Sequence, residues 1–426
     1  MQLHNPSSSI AMSREVEFQS IQALGENTIK FQLSPSHVSY ANTLVRLMMT
    51  GVECVGFRAD IGDDGATSDV VVEANTTPMT NEMLAHRIGL LPVHMTEPKK
   101  WEKDEYEFHL DIVNDSDEAV DVKASDIRVL KVDGDQKIQV PYRTFFPPDP
   151  ITKDTCLIAS LKPKHATGKP EEIRLKAKAS RGVGRENARF IPTSQCTYIY
   201  TLDEDEAHIK EVRNNWLLTN KKIPAEQFDQ MPEEKRDTLL REFKTLGIKR
   251  CYLKNELGEP YSFDFTVESA GVLSPVAIVK EACEAGILMC SRFGDDGGDT
   301  LPDDVLVQPT NKRLLGFDFV FQKQDHTLGN LLQTWIDQNH VENGDVTFVG
   351  YMVPHPLRDE MVLTIGIADG QETTARRVLK EAARGTAAMF RDLSDKWSAK
   401  TDVKQVVTAT AKAKTGRRPI SRLPPT

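Results

Sequence analysis

The chain repeats one short pattern, and this repeat limits the folds that it can adopt. The first copy is SYANTLVRLM at 39–48, and the second is TLGNLLQTWI at 327–336. Each copy has a hydroxyl residue first, a small residue third, asparagine fourth and leucine sixth, and a similar strand pattern follows each, VECVGF at 52–57 and VTFVGY at 346–351. Internal repeats indicate a composite architecture. We therefore predict two related helix–strand units that cover each other's apolar faces as a pseudo-symmetric pair.

The region around the second copy has the pattern of a small α+β unit. Apolar and polar residues alternate in its strand segments, and apolar residues recur at three- and four-residue steps in its helical segments. The predicted elements are a strand at 314–322, a helix at 326–340 capped by Thr327, strands at 346–354 and 361–367, and a helix over about 371–398. This β-α-β-β-α order leaves one helical face that needs a cover.

An acidic, glycine-rich segment separates this unit from the rest of the chain. The sequence GDDGGDTLPDDVLVQPTNKR at 294–313 predicts a linker, and a stripe of apolar residues over 273–293 predicts a helix before it, with Ser274 as N-cap. The predicted segments are a discontinuous α+β unit (13–57 and 260–293), an inserted strand-rich domain (58–259), the linker (294–313), the second α+β unit (314–398) and a basic, mobile tail (399–426).

Composition argues against several classes of protein. The net charge of −10 disfavours a nucleic-acid-binding surface over the whole chain, because the phosphates would be repelled. No stretch approaches the roughly 20 apolar residues that span a bilayer, and the N-terminal sequence lacks the pattern of a secretory signal. The six cysteines include no CxxC pair, so we predict no metal site and no cofactor.

Several motifs resemble one family of polymerase subunits. TNEMLAHRIGLLPV at 80–93 resembles the signature of the archaeal D subunit and of the third-largest subunit of eukaryotic RNA polymerase II. ANTLVRLM at 41–48 is similar to the first helix of that family, and FTVESAGVLSPVAIVKEA at 265–282 is similar to its return strand and second dimerisation helix. DHTLGNLLQTWI at 325–336 and VTFVGYMVPHPL at 346–357 resemble the archaeal L subunit and its small eukaryotic counterpart.

The resemblance implies a fold and a role. The expected fold is an α+β, α-type RNA polymerase dimerisation domain with an inserted strand-rich domain, fused through the linker to a second small α+β dimerisation unit. In the family, the D-like and L-like chains form a heterodimer that nucleates assembly of the two large catalytic subunits of a DNA-directed RNA polymerase. Here both halves lie in one chain, an arrangement that points to a large DNA virus of eukaryotes.

The same resemblance implies partners and a location. We expect the two large catalytic subunits and small polymerase subunits as partners, DNA and RNA only indirectly through the complex, no membrane and no homo-oligomer. The expected location is intracellular, in the host nucleus or in a cytoplasmic viral factory, with packaging in the virion as a further option.

Two groups of residues follow as candidate sites. The residues expected to dock a large subunit are Asn42, Arg46, Glu82, His86 and Arg87. Relatives often have paired arginines in the first helix, whereas this chain has Val45 followed by Arg46, so Arg46 alone is expected to make that ionic contact. The residues expected to pair the two halves are Leu44, Leu47, Val279, Ile287, Leu331, Leu332 and Trp335.

No catalytic site is predicted. No paired carboxylate or nucleophile motif surrounds His86 and Arg87, so acid–base chemistry is not expected there. His326 and His355 each lack the convergent ligands that a metal site requires. The two GDD tripeptides, at 62–64 and 294–296, lie in Gly/Asp-rich connectors, where these residues form turns. RGVGRENARF at 181–190 predicts a hairpin that contacts a large subunit, with phosphate contact as the alternative. The alternative function is a free-standing transcription regulator that binds nucleic acid through the tail at 399–426.

Overall fold

A computed structural model gives the α+β architecture. It describes residues 16–60, 62, 69–134, 136–164, 168–294, 300–310, 314–341, 344 and 346–401. Most of the predicted basic tail, and parts of the two GDD connectors, lie outside these residues. The α+β fold class predicted from the sequence is confirmed.

Strands and helices alternate irregularly along the described chain. The strands are β1 (Glu17–Ala23), β2 (Thr28–Ser34), β3 (Glu53–Gly56), β4 (Val70–Asn75), β5 (Tyr106–Asn114), β6 (Val120–Lys123), β7 (Arg128–Asp133), β8 (Gln136–Val140), β9 (Leu157–Leu161), β10 (Glu171–Ala177), β11 (Ser180–Val183), β12 (Thr193–Tyr200), β13 (Phe263–Ser269), β14 (Val305–Pro309), β15 (Gly316–Gln322), β16 (Val346–Met352) and β17 (Glu360–Ile367). The helices are α1 (Val38–Thr50), α2 (Asn81–Gly89), α3 (Glu206–Trp216), α4 (Ala225–Asp229), α5 (Glu233–Glu242), α6 (Pro275–Gly294), α7 (His326–Ile336) and α8 (Glu372–Thr401).

The chain divides into two compact units. The first, here called the platform unit, comprises the described parts of 1–45, 196–267 and 286–426. The second, here called the sheet unit, comprises the described parts of 46–195 and 268–285. Residues 196–259, which the sequence places in the inserted domain, therefore belong to the platform unit.

The platform unit contains two four-stranded sheets, with strand orders β1-β2-β13-β12 and β14-β15-β17-β16. The second sheet packs on α7 and α8 because its inward positions are apolar, as its alternating pattern predicts. Phe319 and Phe321 of β15, Leu363 and Ile365 of β17, and Leu332 of α7 are fully buried in this core.

The predicted linker at 294–313 contains a strand. Strand β14 lies within it and forms an edge of the second sheet, with Val305 opposite Phe321 and Val307 opposite Phe319. Val305 and Val307 both pack against the core of that sheet. Only a few apolar residues build this strand, and they follow a Gly/Asp-rich stretch. The sequence therefore predicts a linker.

Helix α7 begins and ends differently from its prediction. The cap is Asp325, whose carboxylate accepts a hydrogen bond of 2.8 Å from the amide of Thr327, and not Thr327 itself. An ionised carboxylate also interacts favourably with the positive end of the helix dipole. The α-helix ends at Ile336, and a π-helical turn follows over Asp337–Val341.

A small helical module lies between β12 and β13. Helices α3, α4 and α5 surround a separate core, whose buried members are Trp216, Leu217, Phe228, Phe243 and Cys251. The sequence predicts one charged helical stretch near 226–246, within a strand-rich domain. The module is instead built from three short helices whose surfaces are strongly charged, so their apolar period is weak.

The sheet unit is built around an antiparallel sheet of order β4-β10-β5-β7-β8. An ion pair of 2.5 Å joins Asp69, whose side chain is fully buried, to Lys103, whose side chain is half exposed. The Asp69 carboxylate also accepts hydrogen bonds from the Ser180 hydroxyl at 2.6 Å and the Arg58 amide at 2.8 Å. A buried carboxylate needs several such partners, so these bonds fix the chain entering β4 against β11.

Candidate functional site

Helix α2 carries the strongest sequence motif, and its ends are held by that motif's own residues. The Thr80 hydroxyl caps the helix by accepting from the Met83 amide at 3.3 Å. Hydrogen bonds from the Glu82 backbone amide and the Thr80 side chain lower the pKa of the exposed Glu82 carboxyl. Glu82, predicted to dock a partner, therefore also completes the helix N-terminus.

Arg87 fastens α2 to strand β9. Its Nε donates to the carbonyl of Ile158 at 2.5 Å, and its Nη2 donates to the carbonyl of Leu157 at 2.9 Å. The imidazole of His86, its neighbour, is exposed and makes no hydrogen bond to the residues that the structure describes. The guanidinium predicted to dock a partner is thus engaged within the sheet unit, whereas the imidazole is available.

A groove opens beside this helix. A cavity of about 440 Å³, here called the α2 groove, is lined by Met79, Glu82, Met83, His86, Arg87 and Leu90. The side chains of Met83 and Leu90 are more than half exposed, as is common at protein-binding surfaces. Flexible methionines adapt to irregular partner surfaces. The groove has the chemistry of a protein contact, with one carboxylate and one imidazole at its rim.

Arg87→Ala is expected to lower the free energy of unfolding by about 1–3 kcal/mol, because two carbonyls of β9 lose a charged donor. The measurement is urea unfolding of the full chain. His86→Ala is the matched control and is expected to change stability by no more than about 0.5 kcal/mol. Equal effects of the two substitutions would contradict the anchoring role of Arg87.

The arginine-rich segment at 181–190 is also held internally. Arg189 is almost buried and donates to the carbonyl of Phe57 at 2.8 Å, and it lies 3.3 Å from the carboxylate of Asp60. Glu186 of the same segment forms an ion pair with Arg58 at 2.6 Å. Gly182 must lack a side chain, since a Cβ would lie 2.5 Å from the Phe190 ring.

The two predicted docking residues of α1 differ in their surroundings. The side-chain carbonyl of Asn42 accepts from the Tyr198 hydroxyl at 2.7 Å. Arg46 is exposed, and within the described residues its guanidinium forms no hydrogen bond or ion pair. Arg46 is therefore free to contact a carboxylate of another protein.

Within the platform unit, an aromatic cluster joins the N-terminal strands to the last helix. The centroid of the Trp397 ring of α8 lies 4.8 Å from that of Phe18 of β1 and 5.1 Å from that of Phe31 of β2, and both contacts are edge-on. Phe31 stacks on Phe265 of β13 at 4.8 Å. The side chains of Phe18, Phe31, Phe265 and Trp397 are all almost completely buried. Buried aromatic groups of this size dominate the energetics of an interface.

Polar bonds join α1 to the end of α7 in the same unit. The buried Thr334 hydroxyl donates to the Ser39 hydroxyl at 2.9 Å. The Tyr40 hydroxyl donates to the side-chain carbonyl of Gln338 at 2.8 Å. Burial raises the pKa of Tyr40, so this phenol remains a donor at neutral pH.

The C-terminal part of α6 contacts α8 closely. At Gly286 a Cβ would lie 2.7 Å from the Phe390 ring, so only glycine leaves room for that ring. Phe293 is buried in the core of the second sheet, and Arg384 donates to the carbonyl of Gly294 at 2.9 Å. Three sets of contacts within the platform unit therefore connect segments up to residue 294 to segments that follow residue 313.

The residues predicted to pair the halves are mostly buried. Leu44, Leu331 and Leu332 are fully buried in the platform unit, where Ile287 is half-buried. Leu47 and Val279 are buried in the sheet unit. The Trp335 ring lies against Gly385 of α8, within the L-like half. The sequence prediction omitted Phe18, Phe31, Ser39, Tyr40, Thr334, Phe390 and Trp397, although Trp397 lies on the predicted apolar stripe of the last helix.

The described residues lack two features. No group of three or more His, Cys, Asp or Glu side chains is placed to hold a metal ion. No helix in this part of the chain is long and apolar enough to cross a membrane.

Comparison with known proteins points to one family. Residues 317–396 match the RNA polymerase Rpb3/Rpb11 dimerisation domain. The chain is 25% identical over 305 residues to human DNA-directed RNA polymerases I and III subunit RPAC1, covering 64% of this chain and 82% of the relative. It is 26% identical over 268 residues to DNA-directed RNA polymerase subunit Rpo3 of Methanopyrus kandleri, covering 60% and 86%.

A plant relative agrees with these two. The chain is 25% identical over 292 residues to subunit 3 of DNA-directed RNA polymerases II, IV and V of Arabidopsis thaliana, covering 62% of this chain and 86% of that subunit. The chain is therefore a homologue of the Rpb3/Rpb11-type, α-like subunits of multisubunit DNA-directed RNA polymerases.

Proposed function

We propose that the chain is a non-catalytic assembly subunit whose two halves pair within one polypeptide, as the two chains of an α-type dimer do, and dock the two large catalytic subunits. Its homologues are subunits of DNA-directed RNA polymerases. The observation that carries the proposal is the buried cluster of Phe18, Phe31 and Trp397, which joins a D-like sheet to an L-like helix.

The polar and small-residue contacts support the same pairing. Ser39 with Thr334, Tyr40 with Gln338, and Gly286 with Phe390 each connect a segment before the linker to one after it. A short connection raises the effective concentration of the two halves to roughly millimolar. Pairing in one chain is therefore insensitive to dilution.

A protease site placed between residues 294 and 300 tests the pairing. After cleavage, the two fragments are expected to co-elute on gel filtration, because the buried contacts remain. Addition of urea below the unfolding midpoint is expected to leave them together. Separation of the cleaved fragments in buffer would contradict intramolecular pairing, and cleavage of an identical site placed after residue 401 controls for the protease.

Docking of the large subunits is proposed to use two surfaces, Arg46 on α1 and the α2 groove. Arg46→Ala is expected to leave the melting temperature unchanged and to weaken binding of a large subunit by roughly thirtyfold or more, because loss of one partner of a buried charge pair costs about 2 kcal/mol or more. The assay is quantitative pull-down from cells that express the complete polymerase. Unchanged capture would contradict the role of Arg46, and Arg46→Lys is expected to retain part of it.

We also propose a source and a cellular location for the chain. A one-chain arrangement suits a large DNA virus of eukaryotes, and the chain would then act in the nucleus or in a cytoplasmic viral factory. Small polymerase subunits are further expected partners, and contact with DNA and RNA is expected only through the complex. A chain that purified with nucleic acid through 399–426, and without polymerase subunits, would instead be a regulator.

A further inference from the structure

The second sheet of the platform unit carries one apolar row on the face away from its helices. One face packs on α7 and α8. On the opposite face, the register aligns Leu306 of β14, Val320 of β15, Val362 of β17 and Met352 of β16 in one row across all four strands. These four residues, here called the outer row, lie outside the core beneath the helices.

Exposure along the outer row follows strand position. Val320 and Val362, on the two central strands, are 9% and 6% exposed, whereas Leu306 and Met352, on the edge strands, are 61% and 46% exposed. An antiparallel sheet with one solvated face carries polar residues there, and near-continuous apolar strands are typical of sheets covered on both sides. Residues Met361–Ile367 of β17 are all buried within the chain, so the accessible apolar groups of the outer row are Leu306 and Met352 at the two edges of the sheet.

The charged residues beside the outer row favour a basic partner. The four strands contain no Lys or Arg, and their charged residues are Asp318 and Glu360. Arg358 lies 3.5 Å from Glu360, whereas Asp318 is bonded to the Thr364 hydroxyl at 2.6 Å. If two copies of the chain packed on each other through this face, two Asp318 carboxylates would be buried in the interface, and the strands would supply no Lys or Arg to pair with them. Charge therefore disfavours a second copy and favours a basic partner.

The size of the row limits the kind of complex. Three inter-strand spacings of about 4.8 Å make it roughly 14 Å wide. That is too small for a free complex, which commonly buries about 800 Å² on each partner. The partner must already be held nearby by other contacts.

We propose that the outer row and Asp318 form a docking surface for an apolar segment, carrying at least one Lys or Arg, of another subunit of the same polymerase. The inference rests on the proposed function. It adds a third surface, distinct from Arg46 and the α2 groove. Edge strand β14 supplies Leu306 and lies outside the residues 317–396 that match the dimerisation domain, so the segment joining the two halves completes the surface.

Photocrosslinking in the assembled complex tests this surface. Benzoylphenylalanine replaces Phe348, which is partly exposed at the same sheet, and in a control chain it replaces Leu257, which is 81% exposed and lies away from the strands. The complex is purified through a tag on the full chain, irradiated and analysed by mass spectrometry. We expect position 348, and not 257, to crosslink to one apolar, Lys- or Arg-containing peptide of another polymerase subunit.

Charge variants then test the chemistry. Leu306→Lys with Met352→Lys is expected to lower the crosslink yield from position 348 by at least about tenfold. Leu306→Glu with Met352→Glu removes the same apolar area and is expected to lower it less, because a basic partner tolerates acid. If a lysine pair also lowers the melting temperature, Met352→Lys alone replaces it.

The outcomes separate this inference from the proposed function. The large subunits could co-purify while position 348 crosslinks only within this chain, only to a second copy, or not at all. That result would overturn the docking surface but not the proposed function. If the double lysine and double glutamate variants lowered the crosslink yield equally, the partner would not be basic. Purification of the wild-type chain without large subunits would overturn the proposed function, and this inference with it.

Discussion

Leu332→Asp is expected to lower the free energy of unfolding by about 4 kcal/mol or more, enough to unfold a chain of ordinary stability. Leu332 of α7 is fully buried in the core that also contains Phe293, Phe319 and Leu363. The cluster around Leu332 is apolar, so the new carboxylate would be buried among apolar side chains. The measurement is the urea midpoint, or the thermal melt where unfolding is reversible.

Two controls accompany this substitution. Leu332→Met preserves the volume and is expected to cost less than about 1.5 kcal/mol. Leu257→Asp makes the same chemical change at an exposed position and is expected to alter stability by no more than about 0.5 kcal/mol. A melt of Leu332→Asp that matched wild type would show that α7 does not lie in this core.

Trp397→Ala is expected to cost about 3–5 kcal/mol, the range for removing a large buried aromatic side chain. The indole ring contacts Phe18 and Phe31 edge-on. Its loss leaves a cavity between α8 and the first sheet, which the surrounding strands can only partly fill. The free energy of unfolding by urea gives this value directly.

The same substitution has a second, more specific consequence. In the chain cleaved between 294 and 300, Trp397→Ala is expected to weaken retention of the two fragments strongly, because the aromatic cluster joins one fragment to the other. Leu288→Ala, at an exposed position of α6, is the control and is expected to retain them. Fragments that stay together equally well in both variants would show that the cluster does not hold the halves.

The sequence predicts the elements of the L-like half because their periods are strong. The alternation in β15 and β17 and the stripe along α8 each reflect one buried face. Strand β14 is missed because its apolar run covers only residues 305–307 and is flanked by prolines and aspartates. Helices α3 to α5 are only partly predicted, since their surfaces are charged and their shared core is small.

The candidate sites are harder to predict than the elements. The role of Arg87 as an anchor depends on the carbonyls of Leu157 and Ile158, backbone atoms of a distant strand that no motif indicates. Trp397 lies on a predicted stripe, but its partners Phe18 and Phe31 come from the other end of the chain. Such pairings arise from tertiary packing and not from local pattern.

We propose that this chain assembles a DNA-directed RNA polymerase, and the subunit inventory of its native complex tests this role most directly. The full chain, tagged and expressed at its natural level, would be purified at moderate salt and its partners quantified by mass spectrometry. We predict two large catalytic polymerase subunits, each in a one-to-one ratio with this chain. Recovery of the chain alone, or with nucleic acid but without either large subunit, would contradict the claim.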